Sequence, residues 1–195
     1  MSGSQNSAYN NALLSVYQDP RRVFNLADIA MIDGKAGFLN QKLHYWVKTG
    51  KILNPRRGIY AKPGFSQEEL ACKLYRPSYL SLEYVLQKAG VIFQYDSRIT
   101  LVGALSRKLK TSGVVLEYRK IKGAILLQTT GLVMDNAVSM ASPERAFLDM
   151  LYLEPDFYFD NTHILNKEQI EDMLPLYQSK ALEKRARRLL ADGQQ

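Results

Sequence analysis

The 195-residue chain has one cysteine and two histidines, and no apolar run in it is long enough to cross a bilayer. The lone Cys72 excludes an internal disulfide, and so few soft ligands exclude a zinc site. Residues 1–7 lack the basic and apolar regions of a secretory signal, and their Ser/Gly/Asn composition predicts disorder. We therefore expect a cytoplasmic protein that does not contact a membrane.

Signatures of catalysis are also scarce. The sequence has no Ser/His/Asp series, no glycine-rich phosphate loop and no metal-ligand spacing, so we expect no catalytic residues, cofactor or metal. The nearest pattern is Asp96 with Glu117-x-Arg119, which approaches the Asp and Glu-x-Lys set of metal-dependent nucleases. Arg119 replaces the lysine and cannot readily release a proton, and Asp96 falls in a predicted turn. Surface ion pairs are the favoured interpretation, and a nuclease-like enzyme is kept as an alternative.

The formal net charge of +7 is concentrated in the first third of the chain. Residues 1–64 contain nine Lys or Arg and three Asp, whereas residues 65–195 contain 17 basic and 16 acidic side chains. Such asymmetry indicates an anionic partner for the first third. Nucleic acid is favoured over an acidic membrane surface, because no helix there combines a basic face with a broad apolar one.

The stretch from Phe38 to Pro63 shows what that partner could contact. Its apolar residues follow a helical period and its polar residues fall on the opposite face. The apolar set is Leu39, Leu43, Trp46 and Val47, and the polar set is Gln41, His44, Tyr45 and Lys48. Gly50 should end this helix. Strand-like runs over Lys51–Asn54 and Gly58–Lys62 then flank a turn at Pro55-Arg56-Arg57, which predicts a hairpin with a basic tip.

Two further helices precede this stretch. One is predicted over Ser7–Gln18, and the next is capped by Asn25 with Asp28 in reciprocal position and ended by Gly34. Helix, short helix, turn, helix and hairpin within about 65 residues fit a winged helix-turn-helix, whose second helix reads DNA bases. Gln41 suits adenine, and arginines suit phosphates or the minor groove. The predicted DNA-binding residues are Lys35, Gln41, Lys42, His44, Tyr45, Lys48, Arg56 and Arg57.

The expected fold is α+β, with a winged helix-turn-helix domain over residues 1–65 and a larger mixed α/β domain over 66–195. Predicted helices of the second part cover Gln67–Tyr75, Ser78–Ala89, Ser142–Leu153, Lys167–Leu174 and Lys180–Ala191. Strand propensity favours VIFQY, RITLVGA, Val114–Ile121, AILLQTT and Val133–Met140. Ser142 and Pro143 form a strong helix start. The basic run KALEKRARR fits a solvated face, phosphate contacts or an acidic protein surface.

Three segments in this order resemble a known family: RRGIYAKP, RPSYLSLEYVLQKAGVI and ASPERAFLDMLYL. Over about residues 23–155 the chain is similar to the AbiEi antitoxin and transcriptional regulator family of bacterial AbiE-type (type IV) toxin–antitoxin systems. The resemblance implies an N-terminal winged helix that binds an inverted-repeat operator in double-stranded DNA and represses its own operon. It also implies a C-terminal domain that opposes a cognate nucleotidyltransferase-like toxin.

Under this resemblance the DNA contacts map to Lys35–Lys48 and Arg56–Arg57. The antitoxin effect could act by contact with the toxin, by modification of it, or by protection of its target. The sequence therefore predicts a sequence-specific repressor with antitoxin activity and no catalysis. The alternatives are the nuclease-like enzyme and a non-catalytic protein-interaction module, in which the basic third meets an acidic protein.

Overall fold

The computed structural model describes residues 11–34 and 38–192, and the chain divides into two compact units. The first unit extends to Leu74 and the second begins at Tyr75. Both combine helices with a β-sheet, of three strands in the first unit and six in the second. The fold is therefore mixed α+β. Among the helices described, none has the length and apolar character needed to cross a membrane.

The first unit pairs an antiparallel sheet with short helices. Residues 11–18 are helical (α1), followed by β1 (Val23–Asn25), α2 (Leu26–Asp33), α3 (Leu39–Lys48), β2 (Leu53–Arg56), β3 (Ile59–Ala61) and α4 (Gln67–Leu74). The sheet has the order β1-β3-β2. Ala61 of β3 pairs with Val23 on one side and Leu53 on the other, so the β2–β3 hairpin is fastened to β1. The predicted first helix is confirmed over residues 11–18, and its expected start at 7–10 lies outside the described residues.

Helices α1, α2 and α3 share one apolar core. Its buried members are Ala12, Val16, Phe24, Ile29, Leu43, Trp46 and Ile52. The apolar face predicted for α3 is confirmed, because Leu43 and Trp46 are buried while Leu39 and Val47 are half-buried. Each large side chain buried in this way contributes about 1.5–3 kcal/mol to stability. Packing therefore fixes which face of α3 points to solvent.

The ends of α2 follow the predicted capping pattern. Asn25 Oδ1 accepts a hydrogen bond from the Asp28 amide at 2.8 Å, and Asp28 Oδ2 accepts one from the Asn25 amide at 2.7 Å. Gly34 follows the helix with φ +61°, a left-handed conformation in which glycine has no steric cost. Both predicted boundaries of this helix are confirmed.

Helix α4 is part of the first unit. Leu70 is buried against Val23 and Ala61. Glu69 Oε1 accepts hydrogen bonds from the backbone amides of Arg22 at 2.7 Å and Val23 at 2.9 Å. The boundary expected from composition, at residue 65, lies earlier and would separate this helix from the sheet on which it packs.

The second unit is built on a six-stranded mixed sheet. Its elements are β4 (Ser78–Leu80), α5 (Glu83–Lys88), β5 (Ile99–Gly103), β6 (Arg107–Thr111), β7 (Val114–Lys120), α6 (Gly123–Leu126), β8 (Leu132–Asp135), β9 (Val138–Ala141), α7 (Pro143–Leu153), α8 (Lys167–Met173), a 3₁₀ turn (Leu174–Tyr177) and α9 (Lys180–Asp192). The strand order is β6-β7-β5-β4-β9-β8. β5–β7 and β4–β9 are parallel pairs and the other pairs are antiparallel. Strands distant in sequence therefore meet at the centre of the sheet.

The single helix predicted over Ser78–Ala89 is wrong. Ser78–Leu80 is a strand between β5 and β9, and the helix begins only at Glu83. Leu82 separates the two with φ +60°, a conformation that no helix contains. Tyr79 and Leu80 are buried in the sheet. Both neighbouring strands come from later in the sequence, so the pairing that makes this segment a strand leaves no signal in the local pattern. The local periodicity alone favours a helix.

Other strand predictions divide into correct and wrong. RITLVGA and Val114–Ile121 are confirmed as β5 and β7, and Val133–Met140 is a hairpin of two strands, with Asn136 at φ +52° in its turn. VIFQY forms no strand, although Val91 and Ile92 are buried. AILLQTT begins with the short helix α6 instead. The basic strand β6 was not predicted. Its lysines and arginine have low strand propensity, and pairing with β7 supplies the structure instead.

Candidate nucleic-acid interface

The outward face of α3 is polar. Asn40, Gln41, His44, Tyr45 and Lys48 are exposed there. Asn40, His44 and Lys48 recur every four residues, so they lie along one line of the helix. The sequence interpretation omitted Asn40, although its spacing from His44 and Lys48 is a usable signal. The structure thus brings Gln41, His44, Tyr45 and Lys48 together, as expected, and adds a second side-chain amide.

Lys42 does not belong to this face. Its side chain is buried, and Nζ donates to Asp33 Oδ1 at 2.9 Å and Oδ2 at 2.7 Å. The ion pair joins α3 to the end of α2. The predicted phosphate contact from Lys42 is corrected to a structural role, because its charge is already paired inside the unit. Lys35, the other predicted flanking cation, lies outside the described residues.

The hairpin places its basic residues slightly differently from the prediction. Arg56 ends β2 and is half-buried, whereas Arg57 and Gly58 form the turn and are exposed. Gly58 has φ +79°, a left-handed conformation that favours glycine at the second position of this two-residue turn. The turn expected at Pro55-Arg56-Arg57 is therefore shifted toward the C-terminus. Arg57 is left at the tip of the hairpin.

Asn54 braces the hairpin from within. Its Nδ2 donates to the Arg56 carbonyl at 2.9 Å and to the Ile59 carbonyl at 2.7 Å. The pairing between β2 and β3 is irregular between Leu53 and Arg56, so this side chain supplies bonds that a regular ladder would otherwise make. Sequence reasoning missed this role of Asn54. Asn54 therefore links the two strands of the hairpin next to its tip.

All three aspartates of the first unit are paired with cations. Asp19 binds Arg21 at 2.7 Å, Asp28 binds Arg21 and Lys73, and Asp33 binds Lys42. The hydrogen bond from Arg21 lowers the pKa of Asp19 below its usual value. Burial raises the pKa of Asp28, but hydrogen bonds from Lys73 and the Asn25 amide outweigh it and leave that pKa lowered. Each of the three carboxylates is thus satisfied by a cation of the same unit, and none lies on the outward face of α3.

Exposed cations of α3 and the hairpin lack such carboxylate partners. Lys48 at the end of α3 and Arg57 at the hairpin tip form no ion pair with any of the residues described. Lys51 lies over the Tyr45 ring, with Nζ 5.4 Å from its centroid. Lys62 is excluded from the surface, since it is buried and donates to the Tyr17 and Asp19 carbonyls. Its desolvation lowers the pKa of Lys62. The unpaired positive charge of Lys48 and Arg57 is thus exposed on α3 and the hairpin, while Arg22 is exposed elsewhere and donates to the Pro63 and Gly64 carbonyls.

Two acids of the alternative nuclease pattern, Asp96 and Glu117, lie close together, but both contact the side chain of Arg98. Arg98 Nε donates to Asp96 Oδ2 at 2.7 Å, and the same guanidinium contacts Glu117 and lies 3.7 Å from Glu83. Arg119 points instead to Glu154, at 2.6 Å. Within the described ranges, no group of three or more His, Cys, Asp or Glu is arranged to hold a metal ion. Arg98, which the sequence interpretation missed, occupies the position that a cation would need.

The Arg98 contacts also stabilise the ionised carboxylates. The hydrogen bond from Arg98 lowers the pKa of Asp96. Burial raises the pKa of Glu117, but the Arg98 hydrogen bond and charge leave it below its usual value. Surface ion pairing, which the sequence favoured at this place, describes the geometry.

A fully buried polar network lies elsewhere in the second unit. Arg145 Nε donates to Asp149 Oδ1 at 3.3 Å, and both side chains have zero exposure. Asp149 also accepts from Tyr177 Oη at 2.7 Å and from Ser81 Oγ at 2.9 Å. Arg145 donates further to Tyr79 Oη and to the Ile125 carbonyl, each at 2.9 Å. The network is closed to solvent, so its role is to hold β4 and α7 together.

The network explains two of the segments that carry the family resemblance. Tyr79 and Ser81 belong to RPSYLSLEYVLQKAGVI, and Arg145 and Asp149 belong to ASPERAFLDMLYL. These residues meet each other in the interior. The distinctive pattern of the two segments therefore reflects folding of the second unit, and offers no exposed site by itself.

Comparison with solved structures shows a similar fold in another protein. No family model matches the chain, and no curated protein matches it. Among solved structures, the chain is similar to the crystal structure of the RV2827C protein from Mycobacterium tuberculosis, with a TM-score of 0.57 and 14% sequence identity. The match covers 97% of this chain and 78% of that one. At this identity the likeness concerns the fold: this chain is similar in fold to the mycobacterial protein along nearly its whole length.

Proposed function

We propose that the N-terminal unit is a winged helix-turn-helix that binds duplex DNA, with α3 as recognition helix and the β2–β3 hairpin as wing. The observation that carries the proposal is the outward face of α3, which holds amides, an imidazole, a phenol and an ammonium group but no acid. Arg57 follows at the tip of the adjacent hairpin. The three aspartates of the unit, which would repel DNA, are each paired with a cation, and none lies on this face.

The chemistry of the face suits both parts of DNA recognition. A side-chain amide can make two hydrogen bonds to adenine in the major groove, and Asn40 and Gln41 lie in the first turn of α3. Residues near the start of a recognition helix are those that reach base edges. Lys48 and Arg57 supply phosphate contacts, which position the protein without reading sequence. Specificity would come from the amides, and much of the affinity from the cations.

We further propose that the protein is a repressor of its own toxin–antitoxin operon, acting by occlusion of the promoter. The antitoxin role, opposed to a nucleotidyltransferase-like toxin, is supported by the resemblance of the three sequence segments. The second unit would carry that role. Since the network residues of those segments are buried, the surface that acts on the toxin must lie on other residues of that unit.

The wing is tested by Arg56→Ala with Arg57→Ala. Each phosphate contact contributes about 0.9 to the slope of log affinity against log salt, so the double variant, which removes the Arg57 contact, should reduce that slope by at least about 0.9 for every DNA sequence. The matched control, Lys110→Ala with Lys120→Ala, removes two exposed lysines of the second unit and should leave the slope unchanged. Fluorescence anisotropy with full-length protein between 50 and 200 mM salt measures both. Undiminished binding by the wing variant, with an unchanged slope, would contradict this assignment.

Base reading is tested separately with Asn40→Ala and Gln41→Ala. Loss of a bidentate amide–adenine contact costs about 1–3 kcal/mol at one base pair, so each variant should tolerate substitutions at a single position of the operator. The salt slope should stay at its original value, because neither side chain is charged. A variant that weakens binding to all sequences equally would argue against base reading by that residue.

A further inference from the structure

The outward face of α9 carries a line of cations on the second unit. Ser179 Oγ accepts from the Leu182 amide at 3.3 Å, so Lys180 is the first residue of the helix. One face of α9 is buried through Leu182, Ala186 and Leu190. The opposite face exposes Lys180, Lys184 and Arg188. Four residues separate each from the next, so these three, here called the α9 stripe, follow one line of the helix.

The carboxylates that the structure describes do not neutralise the stripe. None of its three cations forms an ion pair with a carboxylate in the part of the chain that the structure describes. The neighbouring Arg187 differs, since its Nε lies 3.0 Å from Glu171 Oε1 and its guanidinium 3.8 Å from Glu183. The hydrogen bond from Arg187 lowers the pKa of Glu171. Glu171 and Glu183 thus pair with Arg187, and no carboxylate that the structure describes pairs with Lys180, Lys184 or Arg188.

The charges of the stripe oppose the stability of their own helix. Lys180 lies at the N-terminus, where the helix dipole is positive and a cation is unfavourable. Lys180 with Lys184, and Lys184 with Arg188, are like-charge pairs at the spacing that brings side chains closest. Solvation alone does not require this arrangement, because uncharged polar side chains would also keep the helix face in contact with water without the repulsion. An anionic partner explains the charges directly.

Spacing and shape favour a phosphate backbone as that partner. Four residues of α-helix rise about 6 Å, and phosphates of one DNA strand are about 3.4 Å apart along the duplex axis. Because the strand also winds around that axis, neighbouring phosphates lie further apart than this rise, so successive stripe cations match successive phosphates of one strand. Ala181 and Ala191 are exposed beside the stripe, and their small side chains let a backbone approach the helix, while the exposed Arg187 next to Lys184 is paired with Glu171.

We propose that the α9 stripe binds the phosphate backbone of duplex DNA through Lys180, Lys184 and Arg188. This contact goes beyond the proposed function, and it stands on residues other than those of α3 and the hairpin. Each phosphate that the stripe neutralises releases condensed counterions, so the contact contributes affinity that falls with salt and is independent of sequence.

The test uses the full chain and a 30-bp duplex of random sequence, measured by fluorescence anisotropy from 50 to 200 mM salt. Lys180→Gln, Lys184→Gln and Arg188→Gln together should lower the slope of log affinity against log salt by about 2.7. The control combines Lys110→Gln, Lys120→Gln and Lys167→Gln, which removes the same charge from exposed positions elsewhere in the second unit. Its slope should equal that of the unmodified protein.

Thermal unfolding accompanies the binding measurement. The stripe variant should unfold at the same temperature as the unmodified chain or higher, since it loses two like-charge pairs. An unchanged salt slope in this folded variant would overturn the proposal and point to an acidic protein surface instead. An equal fall in the control would overturn it too, because net charge alone would then explain the effect.

The wing variant, Arg56→Ala with Arg57→Ala, is measured in the same series. A lower slope for the stripe variant with no change in the wing variant would support the stripe and contradict the N-terminal interface. A lower slope for the wing variant alone would do the reverse. The two proposals can therefore fail separately.

Discussion

Lys42 and Lys48 lie on the same helix, but the structure predicts that substituting one affects stability and substituting the other affects DNA binding. Lys42 is paired with Asp33, and their side chains are only 6% and 3% exposed. Removing one partner of such a buried pair leaves an uncompensated charge and costs about 3–5 kcal/mol. Lys48 is exposed and has no such partner among the described residues. Lys42→Met should therefore destabilise the fold, whereas Lys48→Met should affect only DNA binding.

The magnitude follows from the size of the first unit. For a domain of this length, each kcal/mol lowers the unfolding midpoint by about 4–8 °C. Taking about 3 kcal/mol, Lys42→Met should lower the midpoint of the first unit by roughly 12–24 °C, as followed by Trp46 fluorescence, since Trp46 is buried in that core. Lys48→Met should change it by less than about 3 °C, because exposed substitutions are usually within about 0.5 kcal/mol.

A double variant separates loss of the pair from loss of packing. Asp33→Leu with Lys42→Met leaves no buried charge, and replacement of a buried ion pair by apolar side chains is often neutral. Its stability should return to within about 1 kcal/mol of the unmodified chain, which gives a large coupling energy in the double-mutant cycle.

DNA binding supplies the complementary readout. Below the unfolding transition, Lys42→Met should keep the salt slope of the unmodified protein, and Lys48→Met should lower it by about 0.9. If Lys42→Met were as stable as the unmodified chain and its salt slope fell by about 0.9 instead, the burial of Lys42 would be wrong. The sequence-based assignment of that residue to the DNA contacts would then be reinstated.

Two further predictions concern the second unit. Arg145→Met should cost about 3–5 kcal/mol in chemical denaturation, because it leaves Asp149 buried with its charge unpaired; a loss below about 1 kcal/mol would contradict the network. Arg98→Gln should cost about 1–2 kcal/mol at pH 7, since Arg98 is partly exposed but contacts two carboxylates whose pKa values are lowered. A carboxylate whose pKa is lowered in the fold stabilises the fold above the unfolded pKa near 4, and this stabilisation is lost as pH falls through the folded pKa. The stabilities of the variant and the unmodified protein should therefore converge toward pH 2. A difference that persists there would show another cause.

Local sequence signals were sufficient where a structure depends on near neighbours. The capping of α2 by Asn25 and Asp28 and the start of α7 at Ser142 and Pro143 are confirmed by the observed hydrogen bonds. The apolar face predicted for α3 is also confirmed, since Leu43 and Trp46 are buried. In each case the interacting groups are three or four residues apart, so the pattern contains the geometry.

Signals failed where the partner lies far along the chain. Ser78–Leu80 is a strand because it lies between β5 and β9, about 20 and 60 residues later, and its own sequence favours a helix equally well. Lys42 was placed among the DNA contacts because its helical position borders the polar face. Only the fold shows that the carboxylate of Asp33 lies within reach.

The candidate interface shows the same division between local and distant information. Its polar face was predictable from period alone, and Asn40 could have been found by extending that period one turn back from His44. Asn54 and Arg98 could not be found in this way. Their roles depend on the carbonyls of a folded hairpin and on carboxylates of separate strands and loops.

DNA binding by α3 and the hairpin is tested most directly by titrating the full-length protein against two duplexes at 150 mM salt. One contains the sequence immediately upstream of the protein's own gene, and the other has the same base composition in shuffled order. A specific regulator should bind the upstream duplex at least about 10³-fold more tightly. Equal affinity for the two duplexes, or no binding to either, would contradict the proposed function.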